Sequence, residues 1–177
     1  MNTAEHLKKN KSRLLQKLFV YNSLRVYFQR KKEAPEVLTG FNLPAGSHCI
    51  EIGCGHGAGA LLISRYFECD KIVGIDNDPA IIKRAGKYVS HPPAWAKGVR
   101  TDHIEFACAD AAGLPYPGGS FDAVFFFGVL NSVDAWREVV NEIFRILKPG
   151  GMLSFGLQRS YTGAGSSSMF PSSGRMN

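Results

Sequence analysis

The stretch Glu51-Ile52-Gly53-Cys54-Gly55-His56-Gly57-Ala58-Gly59 follows a short apolar run and precedes an apolar helical pattern. It predicts a tight turn from a strand into a helix. Glycine tolerates a positive φ and lets a ligand approach the backbone closely. The helix that follows would present free N–H groups and the positive end of its dipole. We therefore expect a ligand-binding loop, the alternative being a tight turn that binds nothing.

Strand-like and helix-like segments alternate on both sides of this loop. The pattern predicts strands at 47–52, 71–76, 103–108, 121–128 and 152–157, and helices at 58–67, 79–89 and 134–147. Asp78 and Asp134 are the predicted N-caps of the last two helices. Such alternation is typical of a parallel sheet with helices on both faces.

The net charge of +6 is concentrated at one end of the 177-residue chain. Residues 1–36 contain nine Lys and Arg against three Glu, and the other residues are neutral in sum. The sequence therefore divides into a basic N-terminal helix over 1–35, a globular domain over 36–157, and a Ser/Gly-rich tail over 158–177 that we expect to be disordered. A charge confined to one segment does not indicate a nucleic-acid-binding domain.

The four cysteines, Cys49, Cys54, Cys69 and Cys108, show no CxxC spacing. Their spacing does not suit a zinc site, and we expect no metal. We predict that they are reduced and mostly buried, as in a cytoplasmic protein. The chain also has neither an apolar run of membrane-spanning length nor a secretory signal pattern.

The glycine spacing alone fits two cofactor classes. Gly53, Gly55 and Ala58 also satisfy the dinucleotide pattern, so nicotinamide or flavin binding stays open at this point. Glu51 stands two residues before the first glycine. A carboxylate there would repel a pyrophosphate but would attract an ammonium or sulfonium group.

Three further positions follow the later predicted strands. Asp76 ends the second strand, where its carboxylate could accept both ribose hydroxyl protons, or merely cap the next helix. Asp110 follows the third strand and could accept the adenine amine proton beside the Ala111 N–H, or could form an Asx turn. Gly128 ends the fourth strand, at the sheet edge where open α/β proteins bind ligands.

The order Glu-x-Gly-x-Gly-x-Gly, Gly-Ile-Asp, Ala-Asp-Ala and Leu-Lys-Pro-Gly-Gly resembles the class I S-adenosylmethionine-dependent methyltransferases over about residues 36–157. Within that class it most resembles the small-molecule group typified by quinone-biosynthesis C-methyltransferases. The resemblance implies an α/β, Rossmann-like, doubly wound parallel sheet of order 3-2-1-4-5 and S-adenosylmethionine as cofactor. The cofactor-binding residues it implies are Glu51, Gly53, Cys54, Gly55, Gly57, Asp76, Asn77, Asp110, Ala111 and Gly128.

By this resemblance, Glu51 and the glycines would contact the methionine part, Asp76 the ribose, and Asp110 with Ala111 the adenine. Gly128 would lie near the reacting methyl group. The N-terminal helix would cover the cleft as a lid with Tyr21 or Tyr27 facing the ligand. It could instead contact an anionic membrane surface weakly, or simply pack on the core.

Two departures from the family limit the functional prediction. Many relatives carry histidine just after the fourth strand, whereas this chain has Asn131 and Ser132, so the catalytic residues stay unassigned. The family sheet has seven strands, in the order 3-2-1-4-5-7-6, and only five are predicted here, which would leave the fifth as an exposed edge.

The predicted function is S-adenosylmethionine-dependent methyl transfer to a small-molecule acceptor. The first alternative is a truncated, catalytically silent fragment that binds S-adenosylmethionine. An NAD-dependent oxidoreductase comes third, because Glu51 disfavours a pyrophosphate.

Overall fold

The computed structural model describes residues 23–40, 42–127 and 135–156. Its centre is a parallel sheet in the order β3-β2-β1-β4-β5, which confirms the predicted fold class and strand order. The strands are β1 (Ser47–Ile52), β2 (Cys69–Asp76), β3 (Ile104–Cys108), β4 (Phe121–Phe127) and β5 (Leu147–Gly156).

Helices connect the strands. They are α1 (Ser23–Phe28), α2 (Ala34–Leu38), α3 (Ala58–Tyr66), α4 (Pro79–Ser90) and α5 (Trp136–Ile146), with a π-helical segment at Gln29–Glu33 and a 3₁₀ turn at Ala94–Ala96. The Asp78 side chain accepts the Ala80 N–H at 2.9 Å, which confirms the N-cap predicted there. Pro79 begins α4, where a missing N–H leaves no bond unmade.

The sheet is apolar on both faces, and each face has its own core. One core joins α2 and α3 to Cys49, Phe125 and Phe127 of the central strands. The other joins α5 to the opposite face of the same strands through Ile50 and Val124. Because successive strand residues point to opposite faces, near-continuous apolar strands are required to fill both layers.

Strand β1 lies between β2 and β4 in the sheet. The chain moves from β1 to β2 and β3 on one side and reaches β4 and β5 on the other. In open α/β sheets such a reversal creates a crevice beyond the carboxyl ends of the two strands concerned. The loop after β1 opens into this crevice, so the fold places the glycine-rich stretch at the ligand-binding edge.

The predicted start of one strand was wrong, whereas the prediction that the cysteines are mostly buried was confirmed for three of the four. Strand β5 begins at Leu147, ahead of the predicted residue 152, because α5 leads into it without a loop and an irregularity in the β4–β5 register accommodates the Lys-Pro-Gly-Gly sequence. Cys108 is exposed, because β3 is the outer strand of the sheet. Cys49, Cys54 and Cys69 are buried and all four thiols are free, with the Cys49 and Cys69 Sγ atoms 3.3 Å apart.

The predicted N-terminal helix is only partly covered by the described residues. From Ser23 to Leu38 the chain is helical throughout, by way of the π-helical segment. Tyr21, Asp134, Asn131, Ser132 and the predicted tail lie outside the described residues. Within the three described ranges, no helix combines the length and apolar character needed to span a bilayer.

Candidate functional site

The glycine loop turns sharply at the carboxyl end of β1. Gly53, Gly55 and Gly57 have φ values of 72°, 52° and 83°, a region that side chains with a Cβ rarely adopt. The Cys54 N–H donates to the Ile75 carbonyl at 2.8 Å, which ties the loop to the end of β2. The backbone conformation thus explains why glycines recur at alternate positions.

Glu51 lies beneath the first turn of α3 and is only 1% exposed. Burial raises the pKa of its carboxyl well above the ordinary value, whereas a hydrogen bond from the Ala60 N–H and the charge of Arg25 lower it to a smaller extent. Its Oε2 atom has no hydrogen-bond partner within the described part of the chain. Glu51 is therefore a buried acid at the crevice with acceptor capacity to spare.

Asp76 joins the loops that follow β1 and β2. Its Oδ2 accepts the Gly55 N–H at 3.3 Å, and its Oδ1 accepts the Asp78 N–H at 3.2 Å. Burial raises the pKa of this half-buried carboxyl, and the backbone donors oppose that shift. Asn77, the next predicted site residue, is exposed. The carboxylate thus stands at the strand end, next to the glycine loop.

Asp110 lies beyond the end of β3 and is exposed. Its Oδ1 accepts the Ala112 N–H at 2.9 Å, and its backbone carbonyl accepts the Gly113 N–H at 3.1 Å. This is the Asx-type turn that was the alternative interpretation, but an ionised carboxylate retains acceptor capacity on its second oxygen. The half-buried Ala111 follows it, and Ala109 N–H donates to the Asp76 carbonyl at 3.1 Å.

Cys54 and His56 are the loop residues with ionisable side chains. Burial raises the pKa of the Cys54 thiol, so the side chain is a packed, protonated thiol rather than a nucleophile. Burial, followed by the charge of Arg84, lowers the pKa of His56, which is therefore neutral at physiological pH. Gly128, the remaining predicted residue, lies outside the described residues.

Sequence reasoning missed Arg25. Its Nη2 atom donates to the backbone carbonyl of Phe127, at the carboxyl end of β4, over 3.2 Å. The two residues are 102 positions apart, and Arg25 is one of nine bases in its segment, so no sequence signal distinguished it. The prediction named Tyr27 on the same helix, whose side chain is 52% exposed and whose ring contacts Phe28.

Together these residues suit a ligand that carries a positive charge and hydroxyl groups. Carboxylates stand at the ends of β1 and β2 and after β3, and backbone N–H groups line the loop between them. An unpartnered buried oxygen of Glu51 adds an acceptor that an ammonium group would satisfy. No cluster of three or more metal-ligating side chains occurs among the described residues.

Comparisons with known proteins place this geometry in a family. The chain is 30% identical over 127 residues to a trans-aconitate 2-methyltransferase of Paracidovorax citrulli, across 71% of this chain and 44% of that protein. It is 31% identical over 111 residues to a phthiotriol/phenolphthiotriol dimycocerosates methyltransferase of Mycobacterium leprae, across 63% of this chain and 37% of that protein. The chain thus spans less than half the length of these relatives.

Structural similarity agrees with the sequence comparison. The YcgJ protein of Bacillus subtilis superposes with a TM-score of 0.57 at 26% identity, over 66% of this chain and 47% of that one. The family model of a methyltransferase domain matches residues 50–155, from within β1 to within β5. Because this match covers more than half of the sequence, the chain belongs to the methyltransferase domain family, as the motif order predicted.

Proposed function

We propose that this chain binds S-adenosylmethionine at the carboxyl ends of β1, β2 and β3 and takes part in methyl transfer to a small-molecule acceptor. The observation that carries the proposal is the pairing of the glycine loop with two carboxylates. Asp76 accepts a loop N–H, and Glu51 is buried directly beneath the loop. The relatives described above, named as methyltransferases of small molecules, support the same chemistry.

The residues fit the cofactor in the order of the sheet. Asp110 and Ala111 would hold the adenine, Asp76 and Asn77 the ribose, and Glu51 with the loop N–H groups the methionine part. Each pairing sets an acceptor against a hydroxyl, amine or ammonium donor. Because β3, β2 and β1 are consecutive neighbours, one extended ligand could contact all three strand ends.

When bound, the cofactor would supply an electrophilic methyl group on a sulfonium sulfur. The contribution of this chain is to bind and orient it, which can provide much of the rate for an already activated group. Burial favours the neutral form of Glu51, and an ammonium beside it would favour the ionised form, so that the two charges would balance in the complex. We assign no general base among these residues.

Isothermal titration of the full chain with S-adenosylhomocysteine and with NAD tests the proposal. We expect micromolar binding of the first and none of the second, since Glu51 disfavours a pyrophosphate. Asp76→Ala should weaken binding by about 10- to 100-fold, the range expected for hydrogen bonds to a charged group. Asp102→Ala is the matched control, because Asp102 is an 81% exposed side chain before the amino end of β3.

The outcomes separate the alternatives. Micromolar binding of NAD without binding of S-adenosylhomocysteine would refute the proposal and favour an oxidoreductase. Binding of S-adenosylhomocysteine with no methyl transfer from S-adenosylmethionine across a panel of small acceptors would favour the catalytically silent fragment. An Asp76→Ala variant that binds as tightly as the control would contradict the role given to that carboxylate.

Location and further partners belong to the same proposal. Free thiols at all four cysteines support a cytoplasmic location. A weak contact with an anionic membrane surface is supported by the exposed aromatics Tyr27 and Phe28 beside the exposed cations Lys31 and Lys32. Binding of the full chain to vesicles with and without anionic lipid would test this contact.

A further inference from the structure

Two buried thiols meet between the first two strands of the sheet. Cys49 lies in β1, Cys69 is the first residue of β2, and their Sγ atoms are 3.3 Å apart. The Cys49 side chain is 0% exposed and that of Cys69 is 1% exposed. The sulfurs are in direct contact, so the two residues form a dithiol pair and not two separate core side chains.

The strand pairing explains this contact. Cys69 pairs with Ser47, which stands two residues before Cys49 on β1 and therefore points to the same face of the sheet. Both thiols belong to the core on that face. A disulfide bond is about 2.05 Å long, so the sulfurs would have to approach by roughly 1.3 Å. The register is irregular between Ser47 and His48, opposite the start of β2, so a small shift of this strand end disturbs few ladder hydrogen bonds.

The surroundings make the two thiols chemically unequal. A hydrogen bond from Cys49 lowers the pKa of the Cys69 thiol; burial opposes this effect, and the charge of Arg100 adds to it. The Arg100 guanidinium donates to the Cys69 carbonyl, which holds the cation beside this residue. The hydrogen bond to Cys69, followed by burial, raises the pKa of Cys49. Because the thiolate is the nucleophile in thiol oxidation, Cys69 is the attacking sulfur and Cys49 the resolving one.

The position of Cys69 in the chain brings it close to the surface. Its neighbours Glu68 and Asp70 are both exposed, and Cys69 begins its strand. Local opening at the end of an element costs far less free energy than global unfolding, so a small oxidant can reach this sulfur in the folded protein. The third buried thiol differs, because Cys54 Sγ donates to the carbonyl of its neighbour Gly55 at 3.8 Å.

We propose that Cys49 and Cys69 are a site of reversible oxidative modification, at which hydrogen peroxide converts the two thiols into a disulfide. The Cys69 thiolate attacks one peroxide oxygen, the O–O bond breaks, and the departing hydroxide takes up a proton and leaves as water. Cys69 is then a sulfenic acid. Cys49 attacks the sulfur of this sulfenic acid, the S–O bond breaks, and the Cys49 proton leaves with the hydroxide as a second water.

The disulfide would join β1 to β2 covalently. The thiols lose two electrons in its formation and the peroxide gains them. Residues 49–69, which include the glycine loop and α3, would then form a closed ring. A dithiol reductant reopens the ring by thiol–disulfide exchange. The inference does not depend on the proposed function, because it involves no cofactor and no methyl acceptor.

Peroxide treatment of the folded full chain, followed by alkylation of the remaining thiols and peptide mass mapping, tests the proposal. We expect a linked pair of peptides that contain Cys49 and Cys69, lighter by two hydrogen atoms than the two free peptides, and recovery of both thiols with dithiothreitol. Because no Lys or Arg separates Cys49 from Cys54, fragmentation of the linked peptides is needed to locate the bonded sulfur. Cys108→Ser is the matched control, since Cys108 is exposed, and it should give the same yield of the linked pair.

Single variants separate the roles of the two sulfurs. In Cys49→Ser the first attack can occur but the second cannot, so dimedone, which traps sulfenic acids, should label Cys69. In Cys69→Ser the Cys49 thiol stays protonated and should remain unlabelled. Far-UV circular dichroism of the oxidised wild type should match that of the reduced protein, because the sulfurs are already in contact.

The opposite results overturn the inference. Full alkylation of both Cys49 and Cys69 after peroxide treatment would show that no disulfide forms. A main product that links Cys54 to either residue would show that the contact between Cys49 and Cys69 does not direct the reaction. A Cys49–Cys69 bond that forms only as the circular dichroism signal is lost would assign the oxidation to the unfolded chain. Dimedone labelling of Cys49 in Cys69→Ser, without labelling of Cys69 in Cys49→Ser, would contradict the assignment of the attacking sulfur.

Discussion

Gly59→Ala is the sharpest perturbation that the site offers, because it adds one methyl group against a buried carboxyl. A Cβ at Gly59 would overlap Oε1 of Glu51 and lie 2.5 Å from its Cδ and 2.8 Å from its Oε2. Non-bonded carbon contacts need about 3.5 Å or more. The Glu51 side chain is 1% exposed, so it cannot move aside into solvent without rearranging the first turn of α3.

Three effects set the change in the free energy of unfolding, one that stabilises the variant and two that destabilise it. Alanine is favoured over glycine inside a helix by about 1 kcal/mol. Overpacking of a tight interior costs about 1 to 3 kcal/mol. Displacing the Glu51 carboxyl from the Ala60 N–H costs about a further 1 to 3 kcal/mol. The net expectation is a loss of roughly 3 kcal/mol, or a fall in Tm of about 10 °C for a chain of this size.

Urea unfolding at constant pH measures the change, with Gly86→Ala as the matched control. Gly86 lies in α4, is exposed, and has nothing within 4 Å of its added Cβ, so the control should gain up to about 1 kcal/mol. The two substitutions are chemically identical, and they should change the free energy of unfolding in opposite directions. If Gly59→Ala unfolds at the same urea concentration as the wild type or above it, with an unchanged m value, the packing of Glu51 against this helix is refuted.

Three further predictions concern titration and packing. Glu51→Gln should flatten the pH dependence of stability. Burial raises the Glu51 pKa, so the stability of the wild type falls as the pH rises above the ordinary value of 4.5. Urea unfolding at a series of pH values measures this, and parallel curves of unfolding free energy against pH for the two proteins would contradict it. Glu142→Gln should make the stability of the protein less sensitive to acid. Arg145 holds the pKa of Glu142 at about 2, so the wild type loses stability as the pH falls from 4.5 toward that value. Acid titration followed by circular dichroism checks this. Gly74→Ala should destabilise by about 1 to 3 kcal/mol, since its Cβ would lie 2.6 Å from the Phe106 ring, and Phe106→Leu should recover part of the loss in a double-mutant cycle.

The fold was predictable because its signals are local and repeat along the chain. Apolar runs, N-caps and glycine turns mark each strand and helix over a few residues, as Asp78 before α4 shows. The start of β5 at Leu147 was not predictable in this way, because that boundary depends on pairing with Phe121 rather than on a turn sequence. The exposure of Cys108 likewise follows from the outer position of β3, which only the assembled sheet determines.

The sequence was sufficient to identify the acidic residues of the candidate site, but only part of their arrangement could be predicted from it. Glu51, Asp76 and Asp110 were found because each follows a strand or ends one, where parallel strands bring their carboxyl ends to one edge. The complete burial of Glu51 beneath Gly59 was not predicted, since it depends on how α3 packs on β1. Arg25 was missed because its bond to Phe127 spans 102 residues and has no local pattern.

The environment of Glu51 argues that its charge has a use beyond holding the loop. Burying a carboxyl with one oxygen unpartnered among the described residues is unfavourable, and the fold leaves a glycine at position 59 to make room for it. A glutamine could also accept the Ala60 N–H and would carry no charge to desolvate, so a purely structural role would favour the amide. If the charge serves the ammonium of the cofactor, Glu51→Gln should keep or raise stability and still weaken S-adenosylhomocysteine binding by about tenfold or more. If the wild type and Glu51→Gln bind S-adenosylhomocysteine equally well, the role of Glu51 is limited to packing against α3.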